Sequence, residues 1–141
     1  MAKRPDIPEP VKYQLWARSA GRCEFRGCNE LLYRDDLTQK YSNLAKISHI
    51  VAFSPNGVRG DPIRSKLLET DINNLMLTCY KHGKLIDDKM QVGDYPEELL
   101  LEFKREHEQR VRLLTEAKED VKTHVLLLEV PISSQSFTID T

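Results

Sequence analysis

The sequence predicts an α+β domain in which a metal ion joins distant parts of the chain. Two pairs of metal-ligating residues with short internal spacing lie far apart: Cys23 with Cys28, and Cys79 with His82. A mixed apolar run over residues 41–53 is typical of a strand. Apolar positions then recur every three or four residues along one helix face: Leu100, Phe103, His107, Val111 and Leu114.

Composition indicates a globular protein without a membrane segment. The chain has 141 residues, of which 40% are hydrophobic and 30% charged, typical of one domain with a short additional segment. No apolar run approaches the roughly 20 residues that cross a bilayer, and the N-terminus does not resemble a signal peptide. We therefore expect a cytoplasmic protein. Its three cysteines, an odd number, are better explained as metal ligands than as disulfides.

The net charge of −1 conceals an asymmetry along the chain. Residues 1–92 contain 15 Lys and Arg against 11 Asp and Glu, and residues 93–141 contain 6 against 11. The part that carries the cysteines is thus mildly basic, with an acidic segment behind it. This distribution permits a surface that faces phosphates, but it does not establish one.

Local signals predict the order of the elements. We expect a first helix over residues 8–20, strands over 30–33 and 41–53, a loop over 54–65 and a short helix over 82–90. Asp71 is placed to cap the turn that presents Asn74, and residues 75–77 form a short buried run. Asp94 is the expected N-cap of a long helix with an acidic first turn.

The C-terminal segment differs from the rest. Residues 124–132 are strongly apolar and favour a strand, yet little sequence remains to complete a sheet around it. This strand either adds to the main domain or begins a second one, and the second interpretation is preferred. The predicted organisation is a domain over 1–120 and a linker with the first strand of another domain over 121–141.

The two Cys and His pairs predict a structural zinc site formed by Cys23, Cys28, Cys79 and His82. Zinc prefers four tetrahedral sulfur or nitrogen ligands that come in two closely spaced pairs. Such a site joins distant segments where the apolar core is small. The alternative is that the cysteines are small buried hydrophobes, but a turn containing Arg26 and Gly27 is a poor core location.

Three stretches together resemble the HNH endonucleases: residues 48–50, 74–79 and 80–87. The similarity extends over about residues 16–110 and rests on the combined spacing of the stretches. It implies the ββα-metal HNH fold with a structural zinc site, flanked by an N-terminal helix and a long C-terminal helix. It also implies a metal-dependent, largely sequence-nonspecific DNA endonuclease that acts on double-stranded DNA.

The resemblance assigns roles to individual residues. His49 would be the general base that activates water, and Asn74 would hold the loop and orient His49 through its side-chain amide. Mg²⁺ or another divalent ion would neutralise the phosphate and stabilise the leaving oxygen. Apart from the resemblance, several cations lie close to the motif in sequence: Arg59, Arg64, Lys66, Lys81, Lys84 and Lys89. Arg59, Arg64 and Lys84 are the expected phosphate contacts, and the alternative for each is a solvated surface side chain.

Two positions depart from the family pattern. Ser48 stands where many members have an acidic residue or His, and Gly83 stands where the second metal-binding His is usual. Three explanations are open: Gly83 inactivates the enzyme, metal binding has moved to a residue such as Asp87 or Asp88, or His82 serves the catalytic ion. If the metal position is simply vacant, Gly83→His is expected to raise nuclease activity.

Residues 48–62 also resemble the nuclease domain of bacterial anti-phage effectors in which an HNH domain is fused to a SAVED sensor of cyclic oligonucleotides. This implies a defence nuclease that is activated when the sensor oligomerises, with residues 124–132 as the start of the sensor. The alternative function is a non-catalytic, zinc-stapled DNA-binding or scaffold module. A small regulatory zinc finger is disfavoured, because the long helix is acidic rather than basic.

Overall fold

The computed structural model of the chain describes residues 3–116, so the predicted segment 121–141 and its strand lie outside the described part. Within that range the chain forms an α+β unit of four α-helices and one two-stranded sheet. The elements, in chain order, are α1 (Glu9–Ser19), β1 (Ala45–His49), α2 (Arg64–Leu68), β2 (Leu75–Cys79), α3 (Tyr80–Ile86) and α4 (Glu97–Thr115).

The two strands form an antiparallel pair in which His49 lies opposite Leu75 and Ala45 opposite Cys79. The predicted strand over 41–53 is thus confirmed only over Ala45–His49. The strand predicted over 30–33 is wrong: this segment makes only isolated bridges, at Leu31 and at Arg34. It lies between two tight turns, and such short contacts cannot extend into a ladder.

β2 is the central element of the fold, and all five of its residues are buried. Because side chains alternate across a strand, its two faces pack into different apolar clusters. One cluster contains Leu75 and Leu77 together with Leu15 of α1. The other contains Met76 together with Ile86 of α3 and the buried face of α4. The predicted burial of residues 75–77 is confirmed, and the fold is organised around this strand.

α1 begins and ends close to the predicted bounds of 8–20. Ala20 caps its C-terminus in the left-handed conformation, with φ of 57°, and Gly21 follows with φ of 65°. The predicted cap at Asp71 is also confirmed, since its carboxylate accepts a hydrogen bond from the Asn73 amide at 2.9 Å. That cap closes a short 3₁₀ turn over Ile72–Asn74, which leads into β2.

The two C-terminal helices begin at residues other than those predicted. α3 starts at Tyr80 rather than His82, because the Cys79 sulfur caps it by accepting the His82 amide. Asp94 does not cap α4, and lies instead in a 3₁₀ turn over Val92–Asp94. The residue before a proline avoids helical geometry, so Pro96 postpones the start of α4 to Glu97.

α4 packs on the rest of the domain through the predicted face. Leu100, Phe103 and His107 are buried, whereas Leu114 is 42% exposed, so the contact fades near the end of the helix. The Nε2 of His107 lies 2.8 Å from the Ser19 carbonyl oxygen, which joins α4 to the end of α1. Among the described helices, none combines the length and apolar character that a membrane crossing needs.

Candidate functional site

The four predicted zinc ligands meet at one point. The ligand atoms of Cys23, Cys28, Cys79 and His82 all lie within 4.8 Å of one another. The Nδ1 of His82 is 3.2 Å from the Cys79 sulfur and 4.0 Å from the Cys23 sulfur. Zn–S bonds of about 2.3 Å in a tetrahedron require sulfurs about 3.8 Å apart, close to this arrangement. The cluster is therefore able to hold a zinc ion, with His82 binding through Nδ1.

Local structure explains why these four side chains converge. The Cys28 amide donates to the Phe25 carbonyl at 3.0 Å, and Gly27, with φ of 85°, supplies the left-handed residue of that turn. The opposite pair comes from the junction of β2 and α3. The Phe25 ring stacks on the His82 imidazole with 4.3 Å between centroids and 3° between planes, which orients the histidine ligand.

Burial shifts the pKa values of three of the four ligand side chains. It raises the pKa of the Cys23 and Cys28 thiols, and lowers the pKa of the His82 imidazole. Without metal the two thiols are therefore protonated and the imidazole is neutral at pH 7. Because zinc binds thiolates, metal binding must release protons, and zinc affinity must fall as the pH falls.

Glu24 supports the cluster from behind and was not identified from the sequence. Its side chain is fully buried, and it accepts a hydrogen bond from the Leu77 amide at 2.9 Å. Burial, followed by a hydrogen bond with Glu108, raises the pKa of Glu24 to about 9, although Lys104 lies 3.9 Å away. Glu24 thus links the cysteine turn to β2 through its buried carboxyl group.

His49, the predicted general base, ends β1 and is 7% exposed. Its Nε2 lies 2.8 Å from the Glu69 carbonyl oxygen. A carbonyl only accepts hydrogen bonds, so Nε2 carries the hydrogen and Nδ1 keeps its lone pair. Burial lowers the pKa of His49, with the Glu69 carbonyl opposing the shift. The ring is therefore neutral at pH 7 and has one nitrogen that is able to accept a proton.

Asn74 holds the loop after β1, but its side-chain hydrogen bonds go to Val51 and Leu68 rather than to His49. Its Oδ1 accepts the Val51 amide at 2.8 Å, and its Nδ2 donates to the Val51 and Leu68 carbonyls at 2.9 and 3.1 Å. The structure therefore corrects the expected orienting contact: the Glu69 carbonyl, not the Asn74 amide, fixes the His49 ring. A backbone carbonyl leaves no trace in the residue types, which is why the sequence did not indicate it.

His49 faces a cavity of about 210 Å³ that it shares with a carboxylate and two cations: Asp87, Lys46 and Arg4. Asp87 lies 3.7 Å from the Lys46 Nζ and 3.2 Å from an Arg59 Nη. The neighbouring Asp88 does not line the cavity, and instead accepts the Met90 amide at 2.9 Å. Of the two carboxylates proposed to replace the missing metal ligand, the geometry thus favours Asp87.

Gly83 packs closely against the two-stranded sheet, and no open space lies beside its Cα atom. A Cβ at this position would lie 2.7 Å from the Thr78 Oγ1, 2.8 Å from the Lys46 Cδ and 2.9 Å from the Ser48 Oγ. Ser48 and Thr78 are both buried, and their hydroxyls are hydrogen-bonded to each other at 2.8 Å. Helix α3 therefore approaches the sheet so closely that a histidine at residue 83 cannot enter without moving one of them.

The three predicted phosphate contacts lie in different settings. Arg59 is 7% exposed in its side chain, and donates to the Ile50 and Ile86 carbonyls at 2.7 Å each. These buried contacts commit its guanidinium to holding the loop over residues 54–65. Arg64 is exposed and paired with Glu97. Lys84 is exposed beside Lys46 and lines a larger groove.

No protein-family model matches this chain, and no curated protein sequence matches it. The evidence for function therefore comes from the residues and their geometry. The sequence did not reveal three features of the site. The Glu69 carbonyl is hydrogen-bonded to His49, the Phe25 ring stacks on His82, and Lys46 lines both the cavity at His49 and the larger groove.

Proposed function

We propose that this protein is a metal-dependent, largely sequence-nonspecific DNA endonuclease with the ββα-metal HNH fold, in which β1, β2 and α3 carry the site. The observation that supports this most strongly is the setting of His49. Its tautomer is fixed by the Glu69 carbonyl, and the ring faces a cavity shared with Asp87 and Lys46. A neutral imidazole beside cations suits proton abstraction from water next to a phosphate.

The reaction is hydrolysis of a phosphodiester bond. The Nδ1 of His49 takes a proton from water as the water oxygen attacks phosphorus. The bond from phosphorus to the leaving 3′-oxygen breaks, and that oxygen takes a proton from solvent. The hydrogen bond from Nε2 to the Glu69 carbonyl strengthens as the ring becomes positive, which stabilises the imidazolium. Lys46 and Arg4 attract the phosphate to the cavity, and their charges offset the charge that develops on its oxygens.

The two proposed metals would bind in separate places. Zinc suits the Cys and His cluster, whose four ligands leave no position for substrate, so its role is structural. Mg²⁺ is commonly held by one or two carboxylates together with water and substrate phosphate. Asp87 would supply one such carboxylate. When bound there, the ion would neutralise the phosphate and stabilise the leaving oxygen.

The test is digestion of plasmid and linear duplex DNA with Mg²⁺ or Mn²⁺ by zinc-loaded protein. Wild type is expected to cut both substrates, and His49→Ala to cut neither. Asp87→Asn is expected to lose metal-dependent cleavage, whereas Asp88→Asn, the matched neighbour outside the cavity, keeps it. Full metal-dependent cleavage by Asp87→Asn would exclude Asp87 as the metal ligand.

A second candidate is the non-catalytic, zinc-stapled DNA-binding or scaffold module. The close packing of Gly83 against Ser48 and Thr78 favours this second candidate. Ser48 and Gly83 occupy the two positions that bind metal in the family that the chain resembles, and here they pack against each other. This candidate predicts zinc binding and DNA binding without cleavage at any divalent ion concentration. The digestion experiment therefore separates the two candidates.

The biological setting follows from the resemblance of residues 48–62. We propose a cytoplasmic anti-phage nuclease joined to a SAVED sensor, with copies brought together when the sensor oligomerises. The strand expected to begin that sensor, residues 124–132, lies outside the described residues. Activation of the fused protein by a cyclic oligonucleotide would support this setting, and cleavage that ignores the nucleotide would contradict it.

A further inference from the structure

A groove of about 800 Å³ runs between the N-terminal segment, α1, β1 and α3. Its lining contains one acidic residue, Asp6, and four cations: Arg4, Lys12, Lys46 and Lys84. The Arg4 guanidinium donates to the Ile47 carbonyl at 2.6 Å, so its charge is held in place without a carboxylate. Lys12 is paired with Glu9 at 3.2 Å and Lys46 with Asp87 at 3.7 Å, so Arg4 and Lys84 are the cations best placed to contact a chain of phosphates.

Aromatic side chains accompany the cations. Tyr80, the first residue of α3, lines the groove and is 64% exposed, and Trp16 of α1 lines it from a half-buried position. Exposed aromatic rings along a basic groove are the combination that binds single-stranded nucleic acid, because bases stack on the rings while lysines contact the backbone. A base within a duplex is already stacked and cannot use such a ring.

The groove also leads to the proposed catalytic cavity. The two share Arg4, Lys46 and Ile47, and Lys46 lies 3.7 Å from Asp87. A strand lying in the groove would therefore place a phosphate close to His49. We propose that this groove binds an unpaired DNA strand and delivers it to His49, an inference that rests on the proposed nuclease function for its target. The preferred substrate is then DNA with a single-stranded segment.

The test is the fluorescence anisotropy of a short labelled oligothymidylate with zinc-loaded protein, without added Mg²⁺. Tyr80→Ala is expected to weaken binding about fivefold or more, while Tyr80→Phe, which keeps the ring, binds as wild type. Lys84→Ala is expected to reduce the slope of log affinity against log salt by about 0.7, the value for one lost phosphate contact on a single strand. Lys81→Ala, an exposed neighbour outside the groove, leaves the slope unchanged.

Wild-type affinity in both Tyr80→Ala and Lys84→Ala would overturn the proposal, as would a preformed duplex that binds as tightly as the single strand. Failure of the nuclease proposal has a different signature. If binding depends on Tyr80 but no metal ion supports cleavage, the groove proposal is supported and the nuclease proposal is rejected. If cleavage depends on His49 but binding is insensitive to Tyr80 and Lys84, the nuclease proposal is supported and the groove proposal is rejected.

Discussion

The Nε2 of His49 lies 2.8 Å from the carbonyl oxygen of Glu69, and this contact determines which ring nitrogen is able to act as a base. Because Nε2 must donate, the proton-accepting lone pair is on Nδ1. Glu69 immediately follows the end of α2, so the short helix between the strands helps to set the chemistry of β1. The Asn74 amide holds the same region through Val51 and Leu68.

Removing zinc is expected to unfold the domain. The four ligands join the turn after α1 to the junction of β2 and α3, and no disulfide among the described residues holds these two segments together when the ion is lost. Thermal unfolding with and without a chelator, followed by re-addition of zinc, measures this. Each chain should contain one zinc ion. An unchanged melting temperature in protein shown to be metal-free would contradict a structural role.

Introducing a side chain at Gly83 is expected to destabilise the protein. Gly83→Ala places a Cβ 2.7 Å from the buried Thr78 hydroxyl, and such overpacking typically costs about 1–3 kcal/mol of unfolding free energy. Gly83→His adds a larger group at the same point, so the structure revises the expectation that it would raise nuclease activity.

Denaturant unfolding of the Gly83 variants provides the measurement, and Gly93→Ala serves as a control, since a Cβ there would meet nothing within 4 Å. Increased cleavage by a fully stable Gly83→His would show that residue 83 is an emptied metal position after all.

Arg59 and Arg64 offer a matched comparison of buried and exposed arginines. Arg59→Ala leaves the Ile50 and Ile86 carbonyls without their donor, and hydrogen bonds to charged groups are worth about 1.5–3 kcal/mol each. Arg64→Ala removes only an exposed ion pair with Glu97, which solvent screens. Urea unfolding of both variants should therefore show a much larger loss for Arg59→Ala. Equal losses would mean that the buried contacts of Arg59 are not important for stability.

His107 is expected to make stability depend on pH. Burial lowers the pKa of its imidazole, with the Ser19 carbonyl opposing and the Arg110 guanidinium reinforcing the shift. The unfolded chain, with a histidine pKa near about 6.5, therefore takes up the proton first. His107 therefore makes its full contribution to the stability of the folded protein above that pH. This contribution is lost as the pH falls through the lower pKa of the folded state.

Comparing wild type with His107→Gln isolates this effect from the other histidines. Glutamine does not titrate, and its amide is able to donate to the Ser19 carbonyl in place of Nε2. Urea unfolding between pH 7 and 5 should show a smaller loss of stability on acidification for His107→Gln. Parallel pH profiles would show that His107 keeps its ordinary pKa when the protein folds.

The features that the sequence predicts correctly depend on local spacing. The two short-spaced Cys and His pairs that meet in one cluster, the Asp71 cap and the buried residues of α4 each follow from spacing within a turn or along one helix face. The contacts that it misses depend on tertiary structure. Arg59 in a loop rich in Gly and Pro is expected to be exposed, and only the folded chain brings the carbonyls of β1 and α3 around it. Pro96 likewise outweighs the capping preference of Asp94.

The most direct test of the nuclease proposal is the rate of plasmid nicking by wild type and His49→Ala, compared at equal zinc content and with saturating Mg²⁺. Loss of a positioned general base should lower the rate by about 10²–10⁴-fold while zinc binding remains unchanged. A His49→Ala protein that nicks as fast as wild type, or a wild type that never nicks, would contradict the proposal that His49 activates water for DNA cleavage.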